Sequence, residues 1–355
     1  MFHASADNID DLMRAVFTRL LSQHRDNNRV NSKKGESTEI FGALLRLTNP
    51  RGRLGRSVER SRIYSAIGEL TWYLSASREL AHIAHYISAY TESSDDNQTL
   101  AGAYGPRIFD PDRAHDDRAF SDEWHRVIDL LNRRPGSRNA VIQLYDNEDG
   151  RKAGLDIPCT CTLHFAVRRK RLDLHVHMRS NDAFLGLPHD IFAFTMLQEI
   201  AARELGIELG KYHHSVASLH LYDDDPEKKV RARTRAQSYL DEGLFEKVFM
   251  PAMPIGDPWP SIRALLSAER ELRSNLENYV PPSGLLPYWE DLATLLRVHA
   301  VVKADRPNNE LKQLLAGLHF EGYQLYIRDR ISRRKDRPVI GDLFDGNGDH
   351  DRSGS

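Results

Sequence analysis

Cys159 follows a proline in Ile157-Pro158-Cys159, and about twenty residues later the chain reads Arg179-Ser180-Asn181-Asp182-Ala-Phe-Leu-Gly186-Leu-Pro-His-Asp190. A cysteine thiolate is a strong nucleophile towards electrophilic carbon, and nearby cations favour the thiolate form. An Arg-Ser pair suits an anion, because guanidinium binds phosphate in a bidentate fashion and a hydroxyl adds a further donor. The pattern therefore points to covalent catalysis on a substrate carrying an anionic group. Taken alone, Cys159 reads better as an inert buried strand cysteine.

These residues need strands and helices to converge. Ile9, Leu12, Met13, Val16, Phe17, Leu20 and Leu21 fall at helical spacing and predict a first amphipathic helix. The stretch Asn31-Ser-Lys-Lys-Gly-Glu is expected to be a polar loop. A second helix is predicted over 61–74, with Glu69 on the face of Ile63, Ile67, Leu70 and Leu74. A carboxylate there is costly unless it is paired or used. Ser93-Ser-Asp-Asp-Asn reads as a loop and Gly102-Ala-Tyr-Gly-Pro as a turn. A short strand is predicted over 140–145, then a hairpin over 162–179 turning at Arg168-Arg-Lys-Arg171. Its alternation sets His164, His175 and His177 opposite the apolar side chains. A helix over 192–205, preceded by Pro188 and closed by Gly206, and a strand over 216–222 follow. His220 and Tyr222 share one face of that strand. The region after Asp257 is helical in pattern, with Pro281-Pro-Ser-Gly as a linker, and 341–355 is Gly/Asp/Ser-rich and expected to be disordered.

The bulk numbers exclude little. With 355 residues and 40% hydrophobic content the chain can bury a large core. A formal net charge of -2 gives no field to attract nucleic acid or a membrane. No apolar run spans a bilayer and Met1-Phe-His-Ala-Ser has no basic leader, so a cytoplasmic location is expected. The two cysteines, Cys159 and Cys161, are spaced C-x-C rather than C-x-x-C, against thioredoxin-type redox chemistry. They are expected to point to opposite strand faces without forming a disulfide, with Cys161 the inert one. Two thiols alone make no zinc site, and no metal is expected.

Taken in order, these motifs resemble the thymidylate synthase family. Glu69-Leu-Thr-Trp72-Tyr-Leu, Tyr104-Gly105, Ser137-Arg138, Pro158-Cys159, Arg179-Ser180-x-Asp182, Leu-Gly186-Leu-Pro and His220-Leu-Tyr222 all stand in family sequence. The likeness covers about 33–222. It implies an α/β (α+β) fold, a large mixed sheet with surrounding helices, whose outer face packs against a second copy as a homodimer. Three segments are expected: a catalytic unit over 1–257, a helical C-terminal extension over 258–340, and the tail. The resemblance assigns Cys159 as the nucleophile, with Glu69 and Tyr104 managing protons. Arg179, Ser180 and Arg138 would hold the 5′-phosphate, Arg138 from across the dimer interface. Asn139 stands where the family has a second Arg, and Lys33-Lys34-Gly35 where it has Arg-x-Gly, so Lys33 would supply charge. Asn181 is counted with the substrate-binding residues, His220 and Tyr222 lie where the sugar binds, and Trp72, Asp182 and Gly186 belong to the side of the folate co-substrate, 5,10-methylenetetrahydrofolate.

Adding a thiolate at C6 of a pyrimidine turns C5 into a carbon nucleophile, which is the chemistry such a cysteine would serve. Asp190 replaces the Asn with which the family reads uracil, a change resembling the cytidylate 5-hydroxymethylases. Cytosine presents an N3 acceptor beside an N4 donor. A carboxyl group accepts from N4–H and suits N3 when a proton is shared between them. The plain alternative is that Asp190 caps a helix starting near Ile191. No Trp stands in His82-Ile-Ala-His-Tyr-Ile-Ser-Ala-Tyr90, where methylating relatives carry one that shields the transferred carbon. The expected reaction is hydroxymethylation of dCMP or CMP. Its rivals are methylation of dUMP and a catalytically silent nucleotide- or RNA-binding homologue using Arg168–Arg171 and Arg333-Arg-Lys. Nucleic acid is not required for the first two readings.

Overall fold

The computed structural model describes residues 1–23, 29–32, 35–59, 62–109, 122–151, 154, 156–225, 227 and 230–335. Lys33, Lys34 and the tail over 341–355 lie outside them. A seven-stranded mixed sheet organises the chain. Its strands are β1 (Phe2–Ala6), β2 (Arg29–Ser32), β3 (Gly35–Leu47), β4 (Val141–Gln143), β5 (Thr160–Arg168), β6 (Arg171–Asp182) and β7 (Glu208–Tyr222). The order is β1-β3-β7-β6-β5-β4, with β2 paired to β3. The β1–β3 and β6–β7 pairs are parallel and the others antiparallel.

The predicted hairpin is β5–β6. Its two-residue turn places Arg169 and Lys170 at φ 51° and 59°, as a turn matched to strand twist requires. Leu163, Phe165, Leu172, Leu174 and Val176 are fully buried, while His175 and His177 are exposed on the other face. The polar loop expected over 31–36 is instead part of a second hairpin, with Asn31 paired to Glu36 and Ser32 to Gly35. Polar composition misled because β2 is exposed along its length. In β3 the buried positions change parity between Ile40 and Ala43, across Gly42 at φ 80°.

Helices α1 (Ile9–Ser22) and α2 (Ile63–Leu74) match the predicted pair. Asn8 caps α1 by accepting from the Asp11 N–H. Next come α3 (Leu80–Tyr86), α4 (Gly105–Phe109), α5 (Glu123–Arg133), α6 (Leu187–Glu204) and α7 (Ala232–Asp241). The helix expected over 192–205 is α6, which begins at Leu187, so Pro188 sits inside the first turn, where its missing N–H costs nothing. The C-terminal helices are α8 (Trp259–Ser274), α9 (Pro287–Lys303), α10 (Asn308–Ala316) and α11 (Gln324–Lys335). Helices α8 and α9 pack on α2, and Ile262, Leu292, Leu295, Leu311 and Ile327 join the same hydrophobic core as the sheet. No helix among the described residues is long and apolar enough to cross a membrane.

Glu199 on α6 joins the segments around this core. It accepts from Arg51 Nε at 2.8 Å, from the Arg53 guanidinium, and from the Met253 N–H at 3.0 Å. Burial alone would push its pKa up, but Arg53, Arg51 and the Met253 N–H outweigh burial and lower it. Its stabilising contribution is therefore complete above the ordinary value of 4.5 and is lost as pH falls through the lower folded value. Glu199→Ala leaves Arg53 buried and unpaired, and chemical denaturation should show a loss of roughly 3–5 kcal/mol. Glu148→Ala, which breaks an exposed pair with Arg151, should cost under about 1 kcal/mol.

Candidate active site

Cys159 sits in the bend that leads into β5, half-buried against the core. Two residues fix that bend. Arg179, exposed on β6, donates from its backbone N–H to the Cys159 carbonyl at 2.9 Å, from Nε to the Pro158 carbonyl at 2.9 Å and from Nη2 to the Ile157 carbonyl at 3.0 Å. Tyr104, just before α4, accepts at its hydroxyl from the Thr160 N–H at 3.1 Å. Burial pushes the Tyr104 hydroxyl pKa well up, and the charges of Cys159 and Asp190 add to this.

Cys159 and Cys161 are not joined in a disulfide. Their expected opposite orientation does not follow from strand geometry, because residues i and i+2 of a regular strand share a face. Cys159 precedes β5, Thr160 is fully buried, and the β5–β6 register shifts between Thr160 and Thr162. Local irregularity therefore sets the direction of each sulfur. Burial raises the Cys161 pKa, while the Arg179 N–H and charge pull it down.

Across from Cys159 lies an acid cluster. Asp190 is 9% exposed, inside the first turn of α6. The helix is capped at Gly186 without a side-chain bond, so Asp190 is not the cap. Burial raises its pKa well above the ordinary value, Glu69 adds to the rise, the Asn181 side chain pulls down, and Asp182 pushes up again. The balance favours the neutral acid. Glu69 is buried on α2 and accepts from the hydroxyls of Tyr73 at 3.1 Å and Tyr90 at 2.7 Å. Asp182 ends β6 and accepts at Oδ1 from the N–H groups of Phe184 and Leu185, which shapes the turn into α6. Gly186 belongs to that turn. A Cβ there would lie 2.8 Å from Asn181 Oδ1 and 3.4 Å from Asp190 Oδ2, so a side chain at this position would have to displace the Asn181 amide.

The ends of β6 and β7 bring further residues together. Ser180 pairs with Ser218, and Asp182 with His220, across parallel strands. The His220 and Tyr222 rings are 5.0 Å apart. Burial raises the Tyr222 pKa, Ser32 lowers it, and Asp182 and Cys159 both add to the rise. Tyr222 thus links the sheet end to Cys159.

Other expected residues stand elsewhere. Asn181 points inward and is 3% exposed. Trp72 is also 3% exposed, packed with Tyr73, Leu80, Ile83 and Leu100, and its indole N–H is buried without a hydrogen-bond partner. Arg138 is exposed on the connection between α5 and β4. The pairing of Val141 with His164 sets Arg138 level with position 167, so it lies on the order of 25 Å along the sheet from Cys159. One chain does not bring these two together. A cleft lined in part by Ile63, Ala66, Pro188, His189, Phe192 and Tyr326 opens beside the start of α6. Sequence reasoning missed Tyr73, Tyr90, Tyr212 and His214. Tyr73 was accessible as the i+4 neighbour of Glu69, whereas the others meet the cluster only through the fold. Among the described residues no group of three or more His, Cys, Asp or Glu is placed to hold a metal ion.

The order of these residues has a counterpart among known proteins. The thymidylate synthase family model matches residues 10–241. The thermostable thymidylate synthase A from Bacillus subtilis superposes with a TM-score of 0.53 at 20% identity, over 67% of this chain and 85% of that one. At that identity the superposition speaks for the fold, while the family match runs through most of the sheet, the cysteine bend and the acid cluster. The chain belongs to the thymidylate synthase family.

Proposed function

We propose that this protein is a cytidylate 5-hydroxymethylase, acting on dCMP or CMP with 5,10-methylenetetrahydrofolate and water and releasing tetrahydrofolate. The observation that carries the reading is Asp190, buried beside Glu69 and Asp182 in surroundings that favour its neutral acid. A neutral carboxyl group donates to cytosine N3 and accepts from N4–H. Uracil is matched only by the other proton position, C=O towards N3–H and O–H towards O4, so base choice in this reading rests on which carboxyl oxygen carries the proton. Ser180 keeps the phosphate pocket like that of deoxynucleotide enzymes, which favours dCMP.

The folate supplies one carbon at the oxidation level of formaldehyde, so completion by water consumes no hydride. The folate would lie against the cleft beside α6, which is lined in part by Ile63, Pro188, His189 and Phe192. The protein's own residues do the rest. Cys159 Sγ adds to C6 of the pyrimidine and leaves C5 nucleophilic; the thiolate departs again at the end. The Tyr104 hydroxyl, anchored near Cys159, takes part in removing the C5 proton. Glu69, held by Tyr73 and Tyr90, manages protons at the C4 side. Arg179, Ser180 and Lys33 bind the 5′-phosphate. Tyr90 occupies the segment where methylating relatives carry a shielding Trp, and it is only half-buried, which leaves water a route to the transferred carbon.

The functional unit is a homodimer in this reading. Phe41 on β3 is 78% exposed on the sheet, an apolar group that a second copy would cover, and Arg138 is too far from its own Cys159 to serve it. Mixing inactive Arg138→Ala with inactive Cys159→Ala subunits should restore part of the activity, since one site of the mixed dimer is intact. A fully active monomer by sedimentation would exclude this.

Cys159→Ala should lower turnover by roughly 10⁴-fold or more while nucleotide binding by calorimetry persists. Cys161→Ala should retain most activity, and the reverse pattern would move the nucleophile to Cys161.

Incubation with methylenetetrahydrofolate and each of dCMP, CMP, dUMP and UMP, with products read by mass, tests the reaction. The wild type should yield hydroxymethylated cytidylate. Asp190→Asn should shift preference toward uridylate by about 2–4 kcal/mol in kcat/KM. Thymidylate from dUMP with dihydrofolate release, and no reaction of either cytidylate, would replace this reading with a methylating synthase.

A further inference from the structure

Helix α3 is held by the C-terminal extension through polar contacts that lie outside the reacting groups. The Tyr86 hydroxyl donates to Glu269 Oε1 on α8 at 3.0 Å. Glu269 is buried and also accepts from Arg273 Nε at 2.9 Å, one turn further along the same helix. His82, on the same face of α3 as Tyr86, brings Nε2 to 3.4 Å from Glu269 Oε2. From α9, Lys303 Nζ lies 2.9 Å and His299 Nε2 3.2 Å from the His85 carbonyl. A carbonyl only accepts, so both nitrogens donate. The His299 and Tyr86 rings pack with centroids 4.8 Å apart.

Tyr86 stands between that anchor and the pair Glu69 and Tyr90. Its ring covers Gly68 of α2, where a Cβ would overlap the ring carbons, so a side chain at 68 would have to push Tyr86 away. Gly68 immediately precedes Glu69. In the other direction α3 ends at Tyr86, and Ile87 leads into the short 3-10 turn Ser88–Ser93 that carries Tyr90. The Ile87 N–H donates to the Ile83 carbonyl at 2.8 Å, and the Tyr90 N–H to the Ile87 carbonyl at 3.3 Å, so the turn hangs on the end of α3. The Tyr90 hydroxyl then reaches Glu69 at 2.7 Å. One side chain thus covers the backbone beside Glu69 and closes the helix from which Tyr90 hangs.

We propose that the extension holds Glu69 and Tyr90 in place through Tyr86 and Glu269, which makes Tyr86 and Glu269 positioning residues of the site. The inference rests on the reading of Glu69 as a group that manages protons near the base. Such a group must stand within hydrogen-bond reach of the proton it moves, so a small displacement of the Tyr90 turn costs turnover. The phosphate contacts proposed for Arg179 and Ser180 stand on the sheet, and nucleotide affinity is therefore spared. Burial raises the Tyr86 hydroxyl pKa well above its ordinary value, and the charge of Glu269 adds to the rise, so Tyr86 stays a donor wherever the enzyme is assayed.

Tyr86→Phe keeps the ring over Gly68 and removes only the hydroxyl. Turnover is measured on whichever of dCMP, CMP, dUMP and UMP the wild type converts fastest, in a double-mutant cycle with Tyr90→Phe. Tyr86→Phe should lower kcat about three- to tenfold, the worth of one hydrogen bond, and leave KM for the nucleotide within about twofold. In the Tyr90→Phe background the same substitution should lower kcat by less than about twofold, because the bond it acts through is already gone. Glu269→Gln should show the same pattern and serves if Tyr86→Phe does not fold. Equal losses in both backgrounds, a raised KM with kcat unchanged, or no loss at all would reduce the contact to packing. Glu69→Gln separates the two levels. If it turns over as fast as wild type, the proton-handling reading of Glu69 fails and the positioning inference falls with it. If it loses turnover while Tyr86→Phe does not, only the positioning inference fails. A wild type that converts none of the four nucleotides overturns both.

Discussion

An acid buried beside other acids is pushed towards its neutral form, and Glu69 and Asp182 both act on Asp190 in that direction. Much of the architecture around the site can be traced to that constraint. Helix α6 begins at Leu187, so its first turn carries Asp190 inward instead of leaving it at the helix end. In the turn before it, a side chain at Gly186 would displace the Asn181 amide. Tyr73 and Tyr90 donate to Glu69, so a second carboxyl group can stand nearby without a base of its own. Proton positions in the site are thus set by buried neutral donors, in surroundings where each hydrogen bond weighs more than it would in water.

The sheet supplies the other half. Strands β6 and β7 run parallel, and Ser180, Asp182, His220 and Tyr222 stand at their carboxyl ends. Parallel strands end with their side chains fanning into the crevice before the following helix, where α/β proteins commonly bind ligands. The bend before β5 brings Cys159 to the same crevice, and Arg179 holds it by gripping main-chain carbonyls. A guanidinium committed to the backbone on two of its nitrogens is also rigid, which suits the phosphate contact proposed for Arg179.

Much of this was readable before any coordinates. The cysteine, the Arg-Ser pair, the Leu-Gly-Leu-Pro turn and the β5–β6 hairpin are local patterns, and they occupy the expected places. Strand β3 was missed because its inward positions change parity at Gly42, which breaks the period-two signal. The start of α6 was set five residues late because Pro188 reads as a breaker, although a first-turn proline is compatible with a helix. The assignment of the cysteines to opposite faces had no basis in strand alternation, which puts positions i and i+2 on one face. Asn181 was classed with the substrate contacts from its motif position, but its side chain turns inward to a histidine thirty-three positions away on another strand. Contacts of that kind leave no spacing to read.

The helices after Asp257 are built into the wall of the site. Helices α8 and α9 lie against α2, the helix that carries Glu69, and Tyr326 of α11 both lines the cleft beside α6 and donates to the Gly55 carbonyl at 3.0 Å. Close-packed interiors transmit displacement instead of absorbing it. A change of volume at Leu292 or Leu295 is therefore felt along α2 and reaches the carboxyl pair. Substitutions in the extension and at the site cannot drift independently, and residues of the extension constrain the acids of the site.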